Sequence, residues 1–367
     1  MSARTTSIMV CAAVALAMLW PAPAPAAEPV KAALTFETGP AVTRLMTPSK
    51  VLRGGKSLSV QGAAGEVSIA GSPVKVAGQW DGRTTMYIGL DADGNGTVDR
   101  AEFRPVGKDK TAVFSLKLGA GEAKTDFAVL LTEIVLNLKA NAVIGMFAEI
   151  HVNCAHKGTV DGQTVRLIDD NMDGKITQDG LDAIAVGNVA AMPLRRQHAI
   201  GDGHYQVSVD AEGKELTATR LSDVATGTVE TSYKGSALGC LMLDDAAGGK
   251  SYDVVASGAS GIPAGKYQLR YGAVVRGGEV LVMERTNTMP EFEITAGKVN
   301  ELRIGAPLRV NFSARLLDDK ITVMPNLQIM GAGDERYNLT FAGELGRPHV
   351  LMQNGSVTLQ DAAMDYG

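Results

Sequence analysis

Twice in this chain a strand-like run meets Asp-Gly, returns as a second short run rich in β-branched and aromatic residues, and then breaks into a cluster of acids. In the first copy Asp81-Gly82 precedes residues 84–90, which include Met86, Tyr87 and Ile88, and the acids begin at Asp91. In the second, Asp161-Gly162 precedes residues 163–168, which include Val165, Leu167 and Ile168, and the acids begin at Asp169. Asp-Gly suits the type I′ turn, whose two central residues both need positive φ and whose twist matches that of paired strands. The turn aspartate and the loop aspartate are 10 residues apart in one copy and 8 in the other. A difference of two preserves which face each side chain meets, because strand periodicity is two. Both acidic segments are therefore expected to leave the end of a strand.

The acids follow a spacing that chemistry explains. Counting from Asp91, oxygen side chains fall at positions 1, 3, 5, 9 and 12 as Asp91, Asp93, Asn95, Asp99 and Glu102, with Gly96 at position 6 and Val98 at position 8. A hard divalent cation takes six to eight oxygens at about 2.3–2.6 Å, so a short chain must wrap around it. Gly96 permits the bend, the Thr97 carbonyl adds a backbone ligand, Glu102 can close the shell with both oxygens, and Val98 anchors the loop. The register resembles the EF-hand calcium loop, which implies Ca2+ held by these residues. In the second segment Asp169, Asn171, Asp173 and the Lys175 carbonyl occupy positions 1, 3, 5 and 7, with Gly174 and Ile176 at 6 and 8, but position 12 is Gly180. Closure then falls to Asp179 or Asp182, with Asp182 preferred, while Asp170 points to solvent. Both incoming runs read as strands, where an EF-hand proper has helices.

The arrangement resembles secreted bacterial proteins of a kind abundant in planctomycete-like genomes, in which β-hairpins end in Asp-x-Asp/Asn-x-Asp-Gly loops. That resemblance covers residues 158–187 and the Asp91 loop; it implies strand-fed calcium loops and no particular activity. A nine-residue stretch at 261–269, containing Pro263, Gly265 and Tyr267, resembles the Pro-x-Gly-x-Tyr segment of carboxypeptidase-regulatory-like and transthyretin-like sandwich domains. It implies an adhesive or structural accessory fold.

The start of the chain reads as an export signal. Arg4 precedes an apolar run over residues 8–20 and an A-x-A series ending at Ala27. Thirteen helical residues reach about 20 Å, too short for a hydrocarbon core of about 30 Å. Cleavage at residue 26 or 27 leaves 34 basic and 40 acidic residues. With no long basic run, nucleic acid has no electrostatic basis as a partner. The chain is expected to be secreted, periplasmic or cell-surface, without a membrane span after cleavage. Removal of Cys11 leaves Cys154 and Cys240, which either pair or stay as separate buried thiols.

Punctuation fills in the rest. Forty-two glycines among 367 residues, with only two tryptophans, favour a chain of many tight turns. From residue 244 turn signals recur at Pro263, Gly277-Gly278, Gly297, Asp318-Asp319, Gly331 and Gly355, with strands between them. One stretch departs: Phe127, Leu130, Leu131, Ile134 and Leu138 have helical spacing behind Asp126. The fold class expected is mainly β: a signal peptide over 1–27, a strand-hairpin region over 28–243 carrying both calcium loops, and a C-terminal β-sandwich over 244–367.

Catalytic landmarks are few. Gly54-Gly55-Lys56-Ser57 ends like a phosphate loop, but Lys50 stands where its first glycine is required. His-Glu-x-x-His and Gly-x-Ser-x-Gly patterns do not occur. On a strand Cys154 and His156 share a face while His151 lies on the other, which favours structural roles. Trp80 and Tyr87 are the one candidate stacking platform. The reading is a structural or cell-surface calcium-binding protein, with polysaccharide or protein as partner. Its alternatives are a secreted hydrolase with structural calcium and a carbohydrate-binding module.

Overall fold

The computed structural model describes residues 28–38, 56–83, 85–108, 110–119, 125–139, 142–233, 238–276, 279–311, 313–317, 320–323, 328–340, 349–354 and 357–363. The expected leader over 1–27, Lys50, Gly54-Gly55 and the turn signals at 277–278, 318–319 and 355 lie outside these residues. Among the described residues the chain is mainly β, with no α-helix and one 3-10 turn at Arg100–Glu102. No helix there is long and apolar enough to cross a membrane.

Four antiparallel sheets contribute to the first core. One contains Ala64–Ile69, Ser72–Trp80, Met86–Leu90 and Phe103–Pro105 in that order and delivers the Asp91 loop. Another runs Met192–Pro193, Ala183–Val186, Gln163–Ile168, Cys154–Val160 and Thr35–Thr38, and delivers the Asp169 loop. The third joins Lys56–Gln61, Ala142–Val152, Thr125–Lys139 and Ala112–Leu118, and the fourth joins Val30–Ala33, Glu215–Arg220, Gly203–Val209 and Gln197–Ile200. Alternation drives the burial: along Ala112–Leu118 every second residue is buried, which places Phe114 and Leu116 inside.

A second core collects Leu241, Tyr252, Ile262, Tyr267, Leu269 and Met283 with their neighbours. Its strands include an eight-stranded sheet in which Ser251–Asp253, Leu238–Asp245, Gly265–Arg276 and Glu279–Glu284 are successive neighbours. In a three-stranded sheet, Thr226–Thr231 pairs antiparallel with Ile262–Pro263 and parallel with Val299–Leu302. Within the Pro263-x-Gly265-x-Tyr267 segment the Tyr267 hydroxyl donates to the Pro263 carbonyl at 2.8 Å, closing the bend that precedes the strand.

Leu238–Asp245 serves both cores. Cys240 and Met242 are buried in the first, Leu241 and Leu243 in the second. Its partner Gly265–Arg276 does the same by a different device. Met242 pairs with Tyr271 and Leu243 with Leu269, so Arg270 is an extra, bulged residue. The bulge advances the side-chain phase by one, and Leu269 enters the second core while Tyr271 enters the first. The Tyr271 hydroxyl donates to the Ala191 carbonyl at 3.0 Å and fastens the bulged strand to the first core. The expected domain boundary at 243/244 thus falls within a strand.

Three expectations need correction. Thr125–Lys139 is a strand, not a helix. Its register slips between Thr132 and Val135, so Leu131 and Ile134 are both buried three residues apart. A β-bulge has imitated helical spacing, and Asp126 caps nothing but pairs with Lys117. Second, only one Asp-Gly pair makes a two-residue turn: Val160 pairs with Gln163, with φ of 45° at Asp161 and 76° at Gly162. At the other, Trp80 pairs with Met86 across a longer loop. Asp81 Oδ1 there accepts the amides of Arg83 at 2.8 Å and Thr85 at 3.1 Å, a local bonding that competes with the tight turn. Third, Tyr87 pairs with Gln79, one position from the Trp80–Met86 pair, so Trp80 and Tyr87 lie on opposite faces and form no common platform.

Cys154 and Cys240 are free, buried thiols, and burial pushes each up to about 12. Both are expected to resist alkylation in the folded protein at neutral pH and to react fully, without reductant, once it is denatured; a thiol count of zero in unreduced denaturant would contradict the fold.

His198 is fully buried, with Nε2 accepting the Arg195 amide at 2.8 Å. Burial, reinforced by the Arg195 charge, lowers its pKa to about 3. The unfolded chain protonates this ring near pH 6.5, so its stabilising contribution is complete above that pH and is lost as pH falls towards 3. The urea midpoint is expected to fall through this window, and less steeply in His198→Gln. A His198 ring resonance that titrates near pH 6.5 in the folded protein would contradict this.

Candidate metal centre

Both acidic loops begin where a strand ends in the first core, and the first carboxylate of each is buried: Asp91 is 4% exposed and Asp169 is 4% exposed. A buried carboxylate needs donors. Asp91 Oδ1 accepts the Asn95 amide at 3.0 Å and Oδ2 the Gly96 amide at 2.8 Å. Asp169 Oδ1 accepts the Asp173 amide at 3.0 Å and Oδ2 the Gly174 amide at 2.7 Å. The ladder continues identically. Asp93 and Asn171 at position 3 accept the amide two residues on at 3.0 Å each. Asn95 and Asp173 at position 5 accept the position-7 amides of Thr97 and Lys175 at 2.8 and 3.0 Å.

The backbone agrees. Position 4 has φ of 67° at Gly94 and 53° at Met172, and position 6 has φ of 88° at Gly96 and 87° at Gly174. The apolar residue at position 8 is the inward anchor in both loops. Val98 lies so close over Gly89 that a methyl there would sit 2.5 Å from it, and Ile176 stands 2.9 Å from the same point on Gly213. The second loop also connects to the first loop's support. The tip of the Ala64–Ile69/Ser72–Trp80 hairpin donates its Ala70 amide to the Met172 carbonyl at 3.0 Å.

Closure differs between the two. Glu102 folds back over the first loop, its Oε1 accepting the Ala92 amide at 2.6 Å and its Oε2 the Asp99 amide at 2.8 Å. Ligand oxygens of Asp91, Asp93 and Glu102 lie within 4.8 Å of one another, the one such convergence of three acidic, histidine or cysteine residues among the described residues. Asp99 sits on the rim, 3.2 Å from Asn95 Nδ2 and 3.4 Å from Thr97 Oγ1.

In the second loop Gly180 occupies position 12 because Arg195 fills the space: a Cβ there would lie 2.2 Å from the guanidinium Nη1. Arg195 meets Asp179 at 3.3 Å and Asp244 at 3.0 Å, and Arg196 also meets Asp179, so Asp179 is turned outward. Asp182 is 1% exposed; its Oδ2 accepts the Gln178 amide at 2.7 Å and its Oδ1 has no partner. Burial first, then the negative charges of Asp169, Asp173 and Asp170, push its carboxyl up to about 7. That is the environment of an acid short of a positive partner. Gln178, not foreseen, is a crossbar: Oε1 accepts from Asn171 at 2.9 Å and Nε2 donates to Asp173 at 2.6 Å. Its only sequence signal was a long polar side chain at position 10.

The remaining sequence candidates do not converge. His151 Nε2 is 3.1 Å from Thr132 Oγ1 and 3.6 Å from Glu149, while Cys154 and His156 belong to the next strand. Comparison with protein-family models, curated proteins and solved structures finds no match to this chain.

Gly180→Ala is expected to cost about 1–3 kcal/mol in chemical denaturation, through its φ of 70° and displacement of Arg195. Gly187→Ala, with φ of 69° but nothing within 4 Å, isolates the backbone part and is expected to cost less. Equal losses would remove the steric explanation for glycine at position 12.

Proposed function

We propose that this chain is an exported, non-enzymatic protein in which calcium rigidifies two loops between strands. The observation that carries the reading is the shared ladder of side-chain-to-amide hydrogen bonds, which folds positions 1, 3 and 5 of both loops in the same way. Asp91, Asp93, Asn95, the Thr97 carbonyl, Asp99 and Glu102 are the first ligand set. Asp169, Asn171, Asp173, the Lys175 carbonyl and Asp182 are the second. All the donors are oxygen, as hard cations require, and the partnerless Asp182 Oδ1 is a donor that a cation satisfies. The leader read over residues 1–27 supports export, and the second core, with its Tyr267-to-Pro263 closure, supports a sandwich-type accessory domain at the C-terminus.

Energetics favour a structural use. Binding only to the folded state stabilises it by RT ln(1 + [L]/Kd), so at millimolar calcium a site of about 10⁻⁴ M affinity contributes roughly 1.4 kcal/mol. Weak binding suffices where calcium is abundant. The ion also cross-links the exit of one strand to the entry of the next without needing a larger core.

Excess EDTA is expected to lower the melting temperature by several degrees, at roughly 2–4 °C per kcal/mol for domains of 150–250 residues. Asp91→Ala is expected to abolish the first loop's share of that shift, and Asp182→Asn most of the second's. A melting curve indifferent to EDTA and calcium, or lanthanide-soaked crystals without anomalous peaks beside Asp93 and Asp173, would overturn the proposal.

A further inference from the structure

A cavity of about 390 Å³ lies where the two cores meet, and neither loop accounts for it. Gly203 and His204 line it from the first region, Tyr252 and Ser257 from the second, and Val186 and Met192 supply apolar wall. Its volume is in the range of small-molecule sites.

Two of its lining residues hold buried polar atoms with no hydrogen-bond partner: the Tyr252 hydroxyl and His204 Nδ1. Tyr252 is only 2% exposed, and the two rings meet edge to face with centroids 5.9 Å apart. Leaving a buried hydroxyl or ring nitrogen unpaired is unfavourable, and the large majority of such atoms in folded proteins are paired. Two of them on neighbouring rings of one cavity mark a place where something else completes the bonding.

The lining also restricts the charge of that partner. No lysine or arginine lines the cavity. Its two carboxylates are already engaged: Asp253 Oδ1 accepts the Leu241 and Val255 amides at 3.1 and 2.9 Å, and Asp202 is 3.1 Å from Arg220. An anionic ligand would meet two acids with no lysine or arginine in the lining, and an ammonium would have to displace Arg220 from Asp202 or the amides from Asp253. The remaining side-chain handles are a phenol, an imidazole and the hydroxyls of Ser257 and Ser260, of which Ser257 donates to the Asp253 carbonyl at 2.9 Å and so is left to accept. Hydroxyl groups both donate and accept, and a sugar ring combines several of them with an apolar face.

We infer that this junction cavity binds a neutral, hydroxyl-bearing small molecule of monosaccharide size, with Tyr252 and His204 as its polar anchors. The site is independent of the two acidic loops and uses none of their residues.

Saturation-transfer NMR on the full chain with calcium present tests this, using the methyl glycosides of glucose, galactose and mannose beside glucuronate and glucosamine. Thermal shift is unsuitable, because sugars stabilise proteins generally by exclusion from their surface. Transfer to at least one neutral methyl glycoside is expected, with affinity falling about tenfold or more in Tyr252→Phe, which removes one oxygen and keeps the ring. His204→Asn is expected to do the same, and both variants should keep the wild-type far-ultraviolet circular dichroism. If Tyr252→Phe changes that spectrum, His204→Asn alone decides. No transfer to any neutral glycoside, which is the result for a cavity that holds only water, overturns the inference. Transfer confined to glucuronate or glucosamine, or unchanged in the folded variants, overturns it as well.

Discussion

A carboxylate buried at the end of a strand cannot remain unbonded, and in this protein that constraint shapes both acidic loops. Asp91 and Asp169 each satisfy two oxygens with amides four and five residues onward, so the chain must curl back immediately on leaving its sheet. The curl demands positive φ at the fourth and sixth positions, and glycine supplies three of those four residues. Once the curl exists, the oxygens at positions 3 and 5 are held by amides of their own. The loop is thereby pre-organised by neutral backbone donors, and a cation entering it would replace part of that bonding without having to order the chain from a random state.

A second constraint ties the loops to the rest of the molecule. Leu238–Asp245 is buried on both faces, feeding alternate side chains to two cores, and it carries Asp244. Arg195 joins Asp244 to Asp179 on the exit of the second loop, and Ser251 donates to Asp244 at 2.5 Å. The Leu194 amide, next to Arg195, donates to the Asp182 carbonyl at 2.7 Å. Geometry at Asp182, on the exit of the second loop, is thus continuous with the strand between the cores.

Much of the fold was legible because it obeys local rules. The strands leading into both loops and the tight turn at Asp161-Gly162 are written in β-branched runs and turn chemistry, which act over a few residues. Where a bulge intervened, legibility failed. The slip between Thr132 and Val135 turned a period of two into a spacing of three, and the spacing imitated a helix. The bulge at Arg270 divided one strand between two cores in a way no periodic reading would detect.

The candidate site divides along the same line. Sequence alone determined the oxygen positions, the glycine bend and the apolar anchor of each loop, because these are set by bonding between residues at most a few positions apart. Only the tertiary structure decided how the acids at the exit of the second loop are placed. Gly180 leaves room for an arginine fifteen residues away, Asp179 is drawn outward by that same arginine, and Asp182 is buried by the strands around it. The junction cavity likewise has no signature in the chain, since Tyr252 and His204 meet only when two cores pack, and packing is a property of contacts distant in sequence.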